Sequence, residues 1–276
     1  LAVAANGNVY VADYWNDRVQ YFNSTGSFLG KWGTEGTGSG QFDYPAGVAV
    51  APNGNVYVVD FDRVQYFTPT GSFLGKWGSY GNGPGQFFLP DGVAVASNRN
   101  VYVGDWGNDR VQYFTATGSY LGQWGAYGRG NGQFDGAGGV AVTPNGNVYV
   151  ADSGNDRIQY FTLTGSFLGK WGSFGTGAGQ FDSPDGLAVA ANGNVYVADL
   201  HNHRIQYFTS TGSYLGKWGS EGSGNGQFEG PSHVALSPSG DRVYITDWGN
   251  HRVQYFKREN PAVSPTSLGK VKALFR

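Results

Sequence analysis

The stretch "GVAVTPNGNVYVADSGNDRIQYFTLTGSFLGKWGSFGTGAGQFDSPD", residues 139 to 185, holds four short runs, GVAV, NVYVAD, RIQYF and SFLGKWG. They are separated by PNG, SGND and TLTG, whose Gly, Asn, Asp, Ser and Thr residues favour turns. This spacing predicts four short strands joined by tight turns. No stretch shows sustained helical periodicity. The run ending at Asp152 has counterparts ending at Asp13, Asp60, Asp105, Asp199 and Asp247, at spacings of 47, 45, 47, 47 and 48 residues. Six copies therefore fill almost the whole chain.

One four-stranded sheet cannot keep both its faces from water. In NVYVAD of the first copy, Val9, Val11 and Asp13 alternate with Tyr10 and Ala12, so both faces carry apolar groups, as in a sheet held between two others. Four antiparallel strands per unit of about 45 residues is one propeller blade. The expected fold is an all-β six-bladed β-propeller of four-stranded antiparallel blades. Its blades fall at about 1–46, 47–91, 92–138, 139–185, 186–232 and 233–256, with residues 257–276 as a linker and tail. The small GVAV strand belongs nearest the axis and the aromatic SFLGKWG strand at the outer edge.

Composition agrees with this architecture. Charged residues are 14% of the 276, against 47 Gly, 18 Tyr, 18 Phe and 8 Trp, a balance that favours short strands and turns. A net charge of −2 gives no general attraction to nucleic acid or anionic membrane. With no Cys, disulfides and thiolate chemistry are excluded. No run approaches the about 18 apolar residues of a membrane helix. The chain opens at Leu1 and contains no Met, which points to a processed or truncated N-terminus.

The glycine-rich stretch after Trp32, Trp77, Trp124, Trp171 and Trp218 poses a choice between a phosphate cradle and a connector. A phosphate cradle needs a helix N-terminus to follow, and none does. The stretch is therefore expected to carry the chain from an outer strand to the next inner strand, anchored by Phe42, Phe87, Phe134, Phe181 and Phe228. Asp13 and Arg18 enclose YWND, and Asp60 and Arg63 enclose only FD. The deletion is even, so both groups keep their face. This predicts a structural cross-strand pair in every copy rather than a basic binding ring.

The run "GVAVAPNGNVYVVDFDRVQYF" and its counterparts resemble NHL repeats, and Asn202-His203-Arg204 and Asn250-His251-Arg252 match the N-H-R of that pattern. The resemblance covers about residues 1 to 256 and implies a six-bladed propeller. For function it implies a family that includes protein-binding sensors, RNA-binding domains and a few lyases or lactonases.

The lyase relatives hold zinc with several axial histidines, whereas this chain has four His in all. His201, His203 and His251 fall in hairpin loops, and His233 alone replaces a glycine opening an axial strand, where packing is the simpler role. Asp91 and Asp185 lie just before axial strands at the channel mouth, where two carboxylates with His233 could hold a calcium or a water, although solvated side chains are the plainer reading. No Ser-His-Asp arrangement is recognisable, so neither catalysis nor a cofactor is expected. The repeating Lys31, Lys76, Lys170 and Lys217 are spread around the outer rim, where charge blocks edge pairing, and this disfavours RNA.

Departures from the repeat point elsewhere. The family has a small polar residue after the strand-ending Asp, as at Ser153. The other copies have Tyr14, Phe61, Trp106, Leu200 and Trp248, with Trp15 adjacent. These loops are expected to share one face with the connectors, where aromatics could bind a peptide, a glycan or another subunit; the plainer alternative is that each ring covers its own hairpin. At the C-terminus, SLGKV at Ser267 to Val271 resembles SFLGKW with one residue missing, after a linker from Lys257 to Thr266. It could complete its own blade or add to the edge of another copy and build a filament or oligomer. The tail also loosely resembles basic-aromatic sorting tails of some secreted bacterial proteins. Asn23-Ser24-Thr25 is a glycosylation sequon, usable only if the chain is exported. The expectation is an extracellular, non-catalytic scaffold binding a protein, peptide or glycan, ahead of a self-assembling subunit and, third, an axial-site lyase or lactonase.

Overall fold

The computed structural model describes residues 1–257 and the short strand Lys272–Ala273. It contains six four-stranded antiparallel sheets, each ordered from inner to outer strand as in the sequence. Helical structure among the described residues is limited to three-residue 3-10 turns at Tyr14–Asn16, Trp106–Asn108 and Ser153–Asn155. The third blade is representative, with strands Pro90–Val95, Val101–Asp105, Arg110–Phe114 and Tyr120–Trp124. Inner strands of neighbouring blades touch near the axis. They pack backbone to backbone: a Cβ on Gly47 would stand 2.2 Å from the Asp91 carbonyl oxygen.

Four inner strands begin earlier than GVAV predicts, at Pro90, Ala137, Pro184 and Pro231, three of them on a proline. Asp91 and Asp185 thus belong to the inner strands of blades three and five, not to the ends of blades two and four. The proline supplies no N–H, which suits a strand's first residue.

Both faces of each sheet are covered by neighbours, as the alternation requires. Tyr57, Val59 and Val64 of blade two form one buried cluster with Val93, Val101, Val103 and Phe114 of blade three. Phe42, Phe87, Phe134, Phe181 and Phe228 are all fully buried, confirming the connectors' anchors. The connector amides are also consumed. Gly36 N–H donates to the Phe42 carbonyl at 2.9 Å, Gly38 N–H to Gln41 Oε1 at 2.9 Å and Gly40 N–H to Gln65 Oε1 at 3.0 Å. Such a loop has no open row of amides for a phosphate.

The Asp and Arg pair lies in register in all six blades. In blade three, Arg110 Nε donates to Asp105 Oδ2 at 2.7 Å. Its terminal nitrogens reach back to the preceding connector and donate to the carbonyls of Asn82, Gly83 and Gln86 at 2.7, 3.0 and 2.8 Å. Gln112 Nε2 joins the Gln86 carbonyl to Asp105 Oδ2. Arg157, Arg204 and Arg252 repeat this capture.

A second link runs forward. Tyr57 Oη donates to the Ala116 carbonyl of the next blade at 2.9 Å, and Tyr149 Oη to that of Ser210 at 2.9 Å. Tyr244 makes the same bond to Ser24 at 3.2 Å, closing the ring between blade six and blade one. Arg242 also donates to the Ser24 carbonyl. Leu1 and Val9 complete that seam with Ala235, Tyr244, Val253 and Tyr255.

The outer strand expected at Ser267 to Val271 lies outside the described residues, as does the linker before it. Lys272–Ala273 pairs antiparallel with Arg252–Lys257, the third strand of the sixth blade of the same chain.

Truncating Arg110 to Ala leaves Asp105 buried without its ion-pair partner and removes three hydrogen bonds to connector carbonyls, so a loss of about 3–5 kcal/mol is expected. Arg18 and Asp13 are more exposed, with 28% and 20% of their side-chain surface accessible. Arg18→Ala should therefore cost no more than about 1 kcal/mol. Denaturant unfolding of the two variants checks the contrast, and equal losses would show that the buried capture is not what holds neighbouring blades together.

Candidate functional site

The side chains that depart from the repeat converge on one face. Hairpin loops between second and third strands meet the connector ends there, because Asp17 Oδ1 accepts from Tyr44 N–H at 2.9 Å and Asp109 Oδ1 from Gly136 N–H at 2.7 Å. Tyr14, Phe61, Trp106 and Leu200 line a cavity of about 400 Å³ over the axis, with Asp91 and Asp185 in its wall. Trp15 and Trp248 line a wider opening of about 780 Å³ toward the seam, which shares Tyr14, Leu200 and both aspartates and adds Ser232 and His233. The six loop residues and the three axial residues singled out in the sequence therefore surround one continuous mouth.

The rings do not each cover their own hairpin, the plainer reading of the sequence. Tyr14 stacks on Tyr44 with centroids 5.0 Å apart, and Trp15 meets Tyr44 edge-on at 5.6 Å. Tyr44 opens the entry to the next blade. A Cβ on Gly136 would lie 2.4 Å from Trp106 Nε1, so Trp106 covers the entry to blade four. Leu200 lies beside Gly230 at the entry to blade six. Substantial aromatic surface still faces solvent, with Trp15 60%, Trp248 57% and Trp106 45% exposed. Leu200 is only half-buried. Tyr44 escaped the sequence reading, though a signal existed: the matching positions hold Leu89, Gly136, Ser183 and Gly230.

The axial residues differ most from their expected setting. Asp91 and Asp185 are not independently solvated. Both line the wall of one cavity, where the charge of each acts on the other. Burial raises the Asp91 carboxyl, and burial together with the Asp91 charge holds Asp185 well above the usual carboxylate range. Between them in the ring is Gly138, where a Cβ would stand 3.3 Å from Asp91 Oδ2.

His233 N–H donates to Thr246 Oγ1 at 2.7 Å, and Ser232 shares a hydrogen bond with that hydroxyl at 2.8 Å. The His233 Nε2 atom is buried with no hydrogen-bond partner. Burial lowers its imidazole to about 3, so the ring is neutral near pH 7. Among the described residues no three His, Asp or Glu side chains converge closely enough for a metal ion. Asn23 is partly buried; its Oδ1 accepts from Thr25 and Ser27 within the turn that receives Tyr244.

Six blades around an axial channel, with loops crowded at one mouth, define a six-bladed β-propeller. The NHL repeat model matches residues 42–63, 134–161, 181–208 and 228–256, each match running from a connector phenylalanine or its neighbourhood into the following blade. The chain is an NHL-repeat propeller. No curated protein matches it in sequence. Among solved structures, a streptogramin B lyase is 14% identical at a TM-score of 0.65, over 99% of this chain and 80% of that one. A chain of a nidogen/laminin complex is 17% identical at 0.67, over 91% and 88%. A Bacteroides caccae protein of unknown function is 13% identical at 0.67, over 91% and 89%. At such identities the likeness is one of fold. No helix among the described residues is long and apolar enough to cross a membrane.

The aspartate pair sets a pH dependence. Because the folded-state carboxyls titrate above their unfolded values, their contribution to stability is complete below the usual carboxylate range and is lost as pH rises through the raised values. Asp185→Asn removes the like charge but keeps the shape. The variant's melting temperature minus that of the parent should be near zero around pH 4 and grow positive toward pH 8, each kcal/mol recovered being worth about 2–4 °C. A pH-independent difference in scanning calorimetry would refute the raised carboxyls.

Proposed function

We propose that this propeller is a non-catalytic interaction scaffold that binds a protein, peptide or glycan partner on its loop face. The observation that carries the reading is the concentration of exposed Trp15, Trp106 and Trp248 around a mouth lined by two aspartates. Repeated polar side chains elsewhere are spent inside: Arg63, Arg110, Arg157, Arg204 and Arg252 hold connector carbonyls. Large aromatic side chains with a polar edge are the residues that most often anchor a partner. Nidogen/laminin contact in a structurally similar chain is consistent with a propeller serving as a binding module, and the lyase of similar fold makes the axial residues the place to look for catalysis instead. The loop-face reading is preferred because Trp15 and Trp248, the most exposed of these aromatics, lie outside the cavity over the axis.

A peptide-display library and a glycan panel should yield ligands that lose at least about tenfold in affinity for the combined Trp15→Ala, Trp106→Ala and Trp248→Ala variant, since truncating anchor aromatics costs about 2 kcal/mol or more. A control at the outer rim, Phe28→Ser with Leu29→Ser, should bind as the parent does; both side chains are exposed there. Ligands indifferent to the loop-face change would overturn the proposal.

A further inference from the structure

The geometry points to an organic cation as the group received at the channel mouth: the guanidinium or ammonium of a partner's Arg or Lys side chain, seated between Asp91 and Asp185. The inference rests on the loop-face reading above and names the chemistry that face selects. Asp91 and Asp185 occupy the same repeat position in blades three and five, while the other described copies place Ala46, Gly138 and Ser232 there. Two blades thus carry an acid where their neighbours leave room, and the ring brings the two acids into the wall of one cavity.

Nothing in the mouth neutralises them. No Lys or Arg lines the cavity over the axis. Arg18 and Arg252 line the wider opening, but each is bound to its own aspartate, Asp13 or Asp247, at 2.7 Å. Ionising both carboxyls there without a counter-ion is costly, and an entering cation would offset that cost.

A second, independent feature lies beside the pair. His233 Nε2 is buried and unpartnered in an opening shared with both aspartates. A Cβ on Gly186, the residue after Asp185, would lie 3.1 Å from His233 Cγ. This nitrogen completes a polar lining with capacity left over. Since no three acidic or histidine groups among the described residues converge at metal-ligand spacing, a bare metal ion would be under-coordinated. A guanidinium or ammonium brings its own directed hydrogens, and a guanidinium can span two carboxyls through its planar fork. Tyr14 and Trp106 are in the same wall, and aromatic rings attract organic cations. A cavity of about 400 Å³ accommodates one long side chain and excludes a folded domain.

Calorimetric titration of the full chain with N-acetyl-arginine methylamide, its lysine counterpart and its citrulline counterpart tests the inference. Citrulline keeps the shape of arginine without the charge. The arginine and lysine probes should bind at least tenfold tighter than citrulline. Asp91→Asn and Asp185→Asn should each weaken arginine binding at least tenfold without lowering the melting temperature, and Trp106→Ala should weaken it several-fold. Equal binding of citrulline, no arginine binding, or full binding to the Asp91→Asn, Asp185→Asn double variant would overturn it. The two proposals fail separately. Library ligands lost in the aromatic variant but retained by the double Asn variant would leave the loop face standing and remove the cation. Aspartate-dependent arginine binding, without any macromolecular ligand sensitive to the aromatic variant, would do the reverse.

Discussion

A buried arginine has five N–H donors, and a blade by itself cannot satisfy them. Arg157 gives one to Asp152 in its own sheet and must find the rest elsewhere. The carbonyls of Arg129, Gly130 and Gln133 in the preceding connector accept three of them. This requirement couples each sheet to the segment that delivers the chain to it, so a connector cannot leave its seat without leaving a buried charge incompletely solvated. The connector's own conformation follows. Gln133 folds back to accept from Gly130 N–H at 2.8 Å, while its main-chain oxygen is shared by Arg157 and Gln159. Glycines in that loop keep the carbonyls accessible to the arginine and the phenylalanine free to enter the core.

The ring is then held in both directions around the axis. Arginines reach backward to the connector, and tyrosine hydroxyls reach forward to the next blade's outer turn. Tyr10 and Tyr102 donate to the Pro69 and Leu163 carbonyls at 3.0 and 3.1 Å. Tyr244 uses the same device to bring residues 220 positions apart together at the closing seam. Apolar packing supplies the bulk of the stabilisation without specifying angle; these directional bonds fix how far each blade turns relative to its neighbour. The inner strands consequently approach closely enough that glycine, not alanine, fits at Gly47.

Much of this was legible before any coordinates, because it repeats. Four runs per unit, the facing of Asp60 and Arg63 after an even deletion, and the buried connector phenylalanines all follow from spacing and alternation. What escaped is what depends on the angle between blades. Asp91 and Asp185 lie 94 positions apart with a whole blade between them, so no local pattern reveals that they share one cavity wall. The coverage of blade entries by Trp106 and Tyr14 was hidden for the same reason, since it joins a hairpin to the following unit. Tyr44 was overlooked because the eye follows the repeated GQF and passes over the variable residue two places later. The early start of the strands at Pro90 and Pro184 was masked by the proline, which reads as a turn but serves here as a strand's first residue.

The distinction between repeated and unrepeated residues also governs how function can arise on this fold. A substitution at a repeated arginine, tyrosine or phenylalanine disturbs a seam, so the freedom to vary lies where a side chain is pinned by neither device. Two such places shape the mouth, the residue after each strand-ending aspartate and the residues opening each inner strand. The first gives the rim its aromatic surface and the second gives the channel Asp91, Asp185 and His233. Both sets end at the same mouth because the inner strand starts where the connector finishes, directly beneath the hairpin loop. A lyase and a laminin-complex chain can therefore share this architecture with the present chain without sharing its chemistry: changing a few residues around the mouth alters what enters while the bonds that set the blade angles remain intact.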